Sequence, residues 1–145
     1  MNLSDLIVLA QSAAKLGEVP IAAAVVAGDG TVLSTAHNHV EMRRDATAHA
    51  ELLAIQKASA ARESKYLEDC TLMVTLEPCA MCAQAISLSK IKKVIYGAHD
   101  PKGGAVEHGA RVFSQATCHH APEVVGGVNE KECGALLVDF FRARR

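Results

Sequence analysis

Leu3, Leu6, Ile7, Ala10, Ala13 and Ala14 recur at the spacing of one helical face, and Gly17 marks where that helix stops. After Pro20 the run Ile21–Ala27 is apolar without interruption, the pattern of a strand buried on both faces. Gly28-Asp29-Gly30 is a turn, and Thr31–Ala36 returns as the partner strand of a hairpin. Residues 37–46 are polar and predict a loop. Thr47 is the expected N-cap of a helix running to about Ala61, with Leu52, Leu53, Ile55 and Ala58 on its buried side.

Thr71–Thr75 predicts a third strand, and Pro78 opens a helix from about Cys79 to Leu88. Lys93–Gly97 predicts a fourth strand, and Glu123–Gly127 a short fifth. Residues 98–110 are rich in Gly and His and predict a loop. Lys131–Arg144 closes the chain as a helix, apolar at Leu136, Leu137, Phe140 and Phe141. Strands alternating with helices after an opening hairpin predict an α/β/α sandwich around a mixed sheet.

The 145 residues fit a single domain, 1–145, with no repeat or linker. Half the residues are apolar and 21% charged, which excludes a disordered chain. With aromatics at 3% and no Trp, the core must be aliphatic. A net charge of −1 points to no nucleic-acid or membrane partner, so such a partner would have to meet a local patch. Leu3–Ala14 has no basic lead-in and is interrupted by Asp5, Gln11 and Lys15, unlike a signal peptide. Ile21–Ala27 is too short to span a bilayer. Five cysteines fit a reducing compartment better than a disulfide framework, and a soluble, cytoplasmic protein is expected.

Two clusters carry the chemistry: His49-Ala50-Glu51, and Pro78-Cys79-Ala80-Met81-Cys82, with 29 residues between His49 and Cys79. Each lies where a predicted helix starts. Cysteines three apart on a helical turn face one point, and a helix N-terminus favours their thiolates. Two thiolates and an imidazole neutralise and hold Zn²⁺ while leaving the fourth tetrahedral position to water. Bound Zn²⁺ lowers that water's pKa to about 7 from about 15.7, which supplies hydroxide at neutral pH. In a regular helix Glu51 would point about 200° away from His49, off the metal, where a proton shuttle belongs. Two other readings remain: a redox pair formed by Cys79 and Cys82, or a closed structural zinc site completed by Cys118, His119 or His120.

His-x-Glu followed by Pro-Cys-x-x-Cys is the signature of zinc nucleobase deaminases. With Gly17-Glu18-Val19-Pro20, Asp45-Ala46-Thr47-Ala48-His49-Ala50-Glu51, Thr75-Leu76-Glu77-Pro78-Cys79-Ala80-Met81-Cys82, Tyr96-Gly97-Ala98 and Asp139-Phe140-Phe141-Arg142, the chain resembles the bacterial tRNA-specific adenosine deaminases of the cytidine deaminase-like superfamily. These stretches run over nearly the whole chain. The resemblance implies a three-layer α/β/α sandwich with a five-stranded mixed sheet, a homodimer, and hydrolysis of the wobble adenosine of a tRNA anticodon to inosine. It assigns zinc to His49, Cys79 and Cys82, proton transfer to Glu51, and the target base to Asn38 and to backbone near Ala50 and Cys79.

It also places Asp100 and Lys102 beside the anticodon loop, and one ring of Phe140-Phe141 against RNA, with Arg142 next to it. Lys90, Lys92 and Lys93, and Arg142, Arg144 and Arg145, are the basic clusters available for RNA or for plain solvation. No spacing recruits His37, His39, His99 or His108 to the chemistry. Two departures stand out. Ala22 replaces the family's usual Gly, which would tighten the pocket floor, and the first helix starts almost at Met1 and is shorter than usual. The same zinc chemistry would also serve a deaminase of a free base or nucleotide of guanine or cytosine type. A non-catalytic zinc-binding module would have no use for Glu51.

Overall fold

Asn2 opens the first helix with a reciprocal cap: its side chain accepts the Asp5 N–H at 3.2 Å, and the Asp5 carboxylate accepts the Asn2 N–H at 2.9 Å. The computed structural model describes residues 1–144, and Arg145 lies outside them. Helix α1 runs Leu3–Lys15, and Gly17 follows it at φ +84°, the left-handed backbone that glycine adopts without strain. Strands β1 (Ala22–Val26) and β2 (Val32–His37) form the hairpin. Then follow α2 (Val40–Arg43), α3 (Ala50–Arg62), β3 (Thr71–Leu76), α4 (Ala80–Leu88), β4 (Lys93–Ala98), a 3₁₀ turn (Val112–Ser114), β5 (Glu123–Val125) and α5 (Glu130–Arg142).

The five strands lie in the order β2-β1-β3-β4-β5. β1 is antiparallel to both its neighbours, whereas β3, β4 and β5 are parallel. Side chains alternate across a strand. Ala22 and Ala24 of β1 therefore meet Leu3, Leu6 and Ala10 of α1, while Ala23 and Val25 meet Leu53, Ala54 and Ile86 of α3 and α4. Helices thus cover both faces of a mixed five-stranded sheet, the three-layer α/β/α sandwich expected from the sequence. Gly97 lets α5 sit directly on β4, since a Cβ there would lie 2.4 Å from the Cys133 sulfur. Among the described residues no helix is long and apolar enough to cross a membrane.

Three local expectations fail. Residues 37–46 are not all loop: buried Glu18 accepts the N–H groups of Glu41 and Met42 at 2.9 and 2.7 Å and so caps the one-turn helix α2. Thr47 is not an N-cap, because its N–H and hydroxyl both turn back to Asp45 Oδ1, and α3 starts after His49. Ala22 does not floor the pocket: its side chain is packed in the α1 layer, and Ile21 lines the pocket instead.

The parallel pair β3 and β4 ends at Leu76 and Ala98, which are in register. The N-termini of α3 and α4 meet the chain at that same end. Two partially positive helix ends therefore converge there.

Candidate active site

His49 and Cys79 are the N-caps of α3 and α4, both extended (φ −77°, ψ 149° and φ −73°, ψ 175°), and neither makes a side-chain capping bond. Both are therefore free to face each other. The cap that α3 lacks comes from Asn38, whose Oδ1 accepts the Ala50 N–H at 3.0 Å. His49 Nδ1 stands 3.5 Å from the Cys79 sulfur and 3.6 Å from that of Cys82. Tetrahedral zinc with Zn–S of about 2.3 Å and Zn–N of about 2.0–2.1 Å sets its nitrogen and sulfur ligands about 3.6 Å apart. The donor set and its spacing fit zinc, and the site is open to a fourth ligand.

Cys118, His119 and His120 do not complete it. Cys118 bonds Ser87 and the His120 carbonyl at the far end of α4, and His120 Nε2 bonds the Ile91 carbonyl. A closed structural zinc site is thereby overturned. All five cysteines are free thiols, with no Cys79–Cys82 disulfide.

The hydrogen bond from Cys82, aided by the one to His49, holds the Cys79 thiol down to about 4. Cys82, which gives that bond and is buried, is pushed above the ordinary thiol range. The Cys79 bond raises His49 against the opposing effect of its burial. Burial pushes the Glu51 carboxyl up to about 7.

Glu51 is 4% exposed and lines one pocket of about 240 Å³ with His49, Cys79, Ile21, Leu76 and Asp100. Because His49 is a cap rather than a helical residue, the 200° separation expected for a regular helix does not apply, and Glu51 shares its pocket. Asn38 is buried beside this pocket, and its N–H donates to the Ile21 carbonyl at 3.1 Å. The Ala50 N–H is engaged by Asn38, so a base would reach it only by displacing that bond.

Glu77 has no role in the sequence reading, yet it is the most heavily bonded side chain in this region. Its fully buried carboxylate accepts N–H groups of Asp100, Val106, Glu107 and His108, and the His108 ring Nδ1 at 2.7 Å. Burial alone would raise its pKa, but the Asp100 N–H, His108 and the other donors outweigh it and hold the group below the usual carboxylate range. Glu77, His99 and His108 also gather three potential metal ligands within 4.8 Å. The Glu77 lone pairs are already filled by five donors, so this group is a hydrogen-bonded hub and not a metal centre.

The RNA candidates fall into two places. Asp100 lines the active-site pocket, and its Oδ1 accepts the N–H groups of Lys102 and Gly103. Lys102, Phe141 and Arg142 line a neighbouring cavity of about 430 Å³ with Leu137 and Val138. Phe140 is buried and Phe141 is 49% exposed, which decides which ring of the pair is free. Lys90, Lys92 and Lys93 lie elsewhere, where β3 and β4 begin, a strand length of about 17 Å from the site. Lys90 and Lys65 flank the Tyr66 ring there. Arg144 lies over the Phe140 ring, and Arg145 is outside the described residues.

The MafB19-like deaminase family model matches residues 3–145. A tRNA-specific adenosine deaminase of Agrobacterium fabrum is 50% identical over 139 residues, covering 96% of this chain and 91% of the relative. The tRNA-specific adenosine deaminase of Bacillus subtilis is 46% identical over 136 residues, covering 94% and 84%. A structure from a study of A-to-I editing by tRNA:A34 deaminases at the wobble position of transfer RNA superposes with a TM-score of 0.88 at 49% identity. It covers 91% of this chain and 95% of its own.

Proposed function

Since the chain belongs to the bacterial tRNA-specific adenosine deaminases, we propose that it converts the wobble adenosine of a tRNA anticodon to inosine, as one zinc-dependent deaminase domain over residues 1–145. The observation that carries this reading is a zinc-spaced cluster of His49, Cys79 and Cys82, of which His49 and Cys79 line the same pocket as buried Glu51. His49, Cys79 and Cys82 hold Zn²⁺, which when bound supplies a water acidified toward neutral pH.

Glu51 takes the proton that the water loses as its oxygen bonds to C6 of adenine. The Glu51 carboxylic acid then gives its proton to N1, and Glu51 carries the proton of the new C6 hydroxyl to the exocyclic nitrogen as the C6 carbonyl forms, the C6–N bond breaks and ammonia leaves. Protonated groups with a pKa near 7 suit both directions of transfer, and Glu51 is raised to about 7 by its burial. Asn38, fixed by the N–H groups it takes and gives, reads the base edge. Ala50 offers its backbone N–H next to Asn38, and Ile21 and Leu76 line the pocket with apolar surface.

Asp100 and Lys102 meet the anticodon loop, with exposed Phe141 and Arg142 at the neighbouring cavity as the outer RNA contacts. The wobble base is partly unstacked in its loop, which lowers the cost of turning it into the pocket. The active assembly is a homodimer, for which exposed Leu88 and Tyr66 offer apolar surface. Free cysteines throughout suit the cytoplasm, where tRNA is modified. Ammonia release tests the reading: an anticodon stem-loop with adenosine at the wobble position is a substrate, whereas free guanine and cytidine are not. Turnover of the free bases with none on the stem-loop refutes it.

A further inference from the structure

Loop 99–108 lies between the two sites, and little of its own sequence holds it. Asp100 points into the active-site pocket, and Lys102 into the cavity beside α5. A glycine-rich segment of this length loses much conformational freedom when ordered, so something must over-determine its shape. Two sets of bonds do so, each tying the start of the loop to its end.

The first is the Glu77 hub. A carboxylate only accepts, so the His108 Nδ1 that approaches it at 2.7 Å carries the proton. The backbone wraps so closely around this carboxylate that a Cβ on Gly104 would lie 2.6 Å from Glu77 Cδ and 2.5 Å from the Asp100 carbonyl. The second set is centred on Tyr96, a fully buried β4 side chain. Its hydroxyl donates to Glu107 and therefore accepts from His99 Nδ1 at 3.0 Å. A Cβ on Gly126 would lie 2.4 Å from Tyr96 Cζ, so the backbone opposite leaves just the space this ring fills. The sets interlock, because the His99 and His108 rings meet edge to face at 5.6 Å, 75° apart.

We propose that His99 and His108 are positioning residues, which act through Tyr96–Glu107 and Glu77 to hold loop 99–108 in the shape that presents Asp100 and Lys102 to the RNA. The inference rests on the reading that this loop meets the anticodon arm. Neither histidine touches the zinc ligands. With side chains 34% and 31% exposed, His108 and His99 tolerate replacement without opening the core. Each ring fixes one tautomer and helps tie the start of the loop to its end, a task that no spacing in the sequence betrays.

The test uses the zinc-loaded protein and an anticodon stem-loop. His108→Phe and His99→Phe keep a ring and lose the Nδ1 donor. Each raises KM for the stem-loop about tenfold with kcat and zinc content unchanged, the scale of one lost hydrogen bond to a charged network. His108→Asn sets an amide nitrogen where Nδ1 stood and restores KM. In a Lys102→Ala background, which itself raises KM, His108→Phe adds a smaller fold-increase than in the parent, because one of the two contacts it positions is already gone. The same fold-increase in both backgrounds, or a fall in kcat at unchanged KM, overturns the positioning role while leaving the RNA contact intact. A Lys102→Ala protein with unchanged KM refutes the loop's RNA role, and the positioning proposal falls with it.

Discussion

Asn38 accepts the N–H of Ala50 through its side-chain oxygen at 3.0 Å, so the residue proposed to read the base also caps the helix that carries Glu51. Its own N–H goes to Ile21, another wall of the pocket. Base recognition and proton transfer are therefore built on one rigid corner, where the hairpin meets α3. The cap leaves His49 unneeded by its helix and available to a metal.

Glu51→Gln should keep zinc and lose catalysis. The carboxylate shares the pocket but is not one of the three closely spaced ligand atoms, and kcat is expected to fall by about 10²–10⁴, the usual reach of general acid–base catalysis. Metal analysis beside single-turnover rates checks this. Zinc lost along with activity would make Glu51 a ligand.

Cys79→Ala or Cys82→Ala should empty the metal site, whereas Cys70→Ala, Cys118→Ala and Cys133→Ala should leave one zinc per chain. Cys70 and Cys133 are buried in the two core layers, and Cys118 is bonded to Ser87. Metal content by mass spectrometry of the five variants decides it.

The cluster of His49, Cys79 and Cys82, the neighbouring Glu51 and the sheet were legible because they rest on local signals: a helix-start His-x-Glu, a Cys-x-x-Cys turn, and apolar runs such as Ile21–Ala27. What the sequence hides depends on partners far along the chain. Helix α2 exists because Glu18 caps it from 23 residues away, and no apolar period marks it. Glu77 organises loop 99–108 by accepting backbone N–H groups, which any residue supplies and no motif records. The four extra histidines looked unrecruited for the same reason. His99 and His108 are recruited by Tyr96 and Glu77, and His37 and His39 stack on each other at 4.4 Å.

Ala22→Gly, the family's usual residue, should lower stability by about 1–2 kcal/mol, from backbone freedom gained by the unfolded chain and a methyl lost from the α1 layer. KM for the stem-loop should not change, since Ile21 and not Ala22 lines the pocket. Urea denaturation and steady-state rates separate the two effects. A lower KM in the variant would restore Ala22 to the pocket floor.

Asp69 gives the stability a defined dependence on acid. The Arg62 guanidinium and the Gly28 N–H hold its carboxyl well below its ordinary 3.8. Its contribution is therefore present in full above about pH 4 and lost as pH falls through the lowered folded value. Asp69→Asn should have a lower urea midpoint than the parent at pH 6, with the gap closing toward pH 2. The pair is solvent-screened, so the gap should also shrink in salt. A gap independent of pH would show that the carboxylate's charge is not what Asp69 contributes.

The central claim is that this pocket edits one base of a tRNA, and mapping inosine in total tRNA after incubation with the zinc-loaded protein tests it most directly. Inosine is copied as guanosine by reverse transcriptase, so each edited position appears as an A-to-G change. The expected result is conversion at the wobble adenosine alone, absent with Glu51→Gln, and slower as salt rises because the proposed Lys102 and Arg142 contacts with RNA would release counterions. No conversion in any tRNA, with ammonia released from free guanine or cytidine instead, would contradict it.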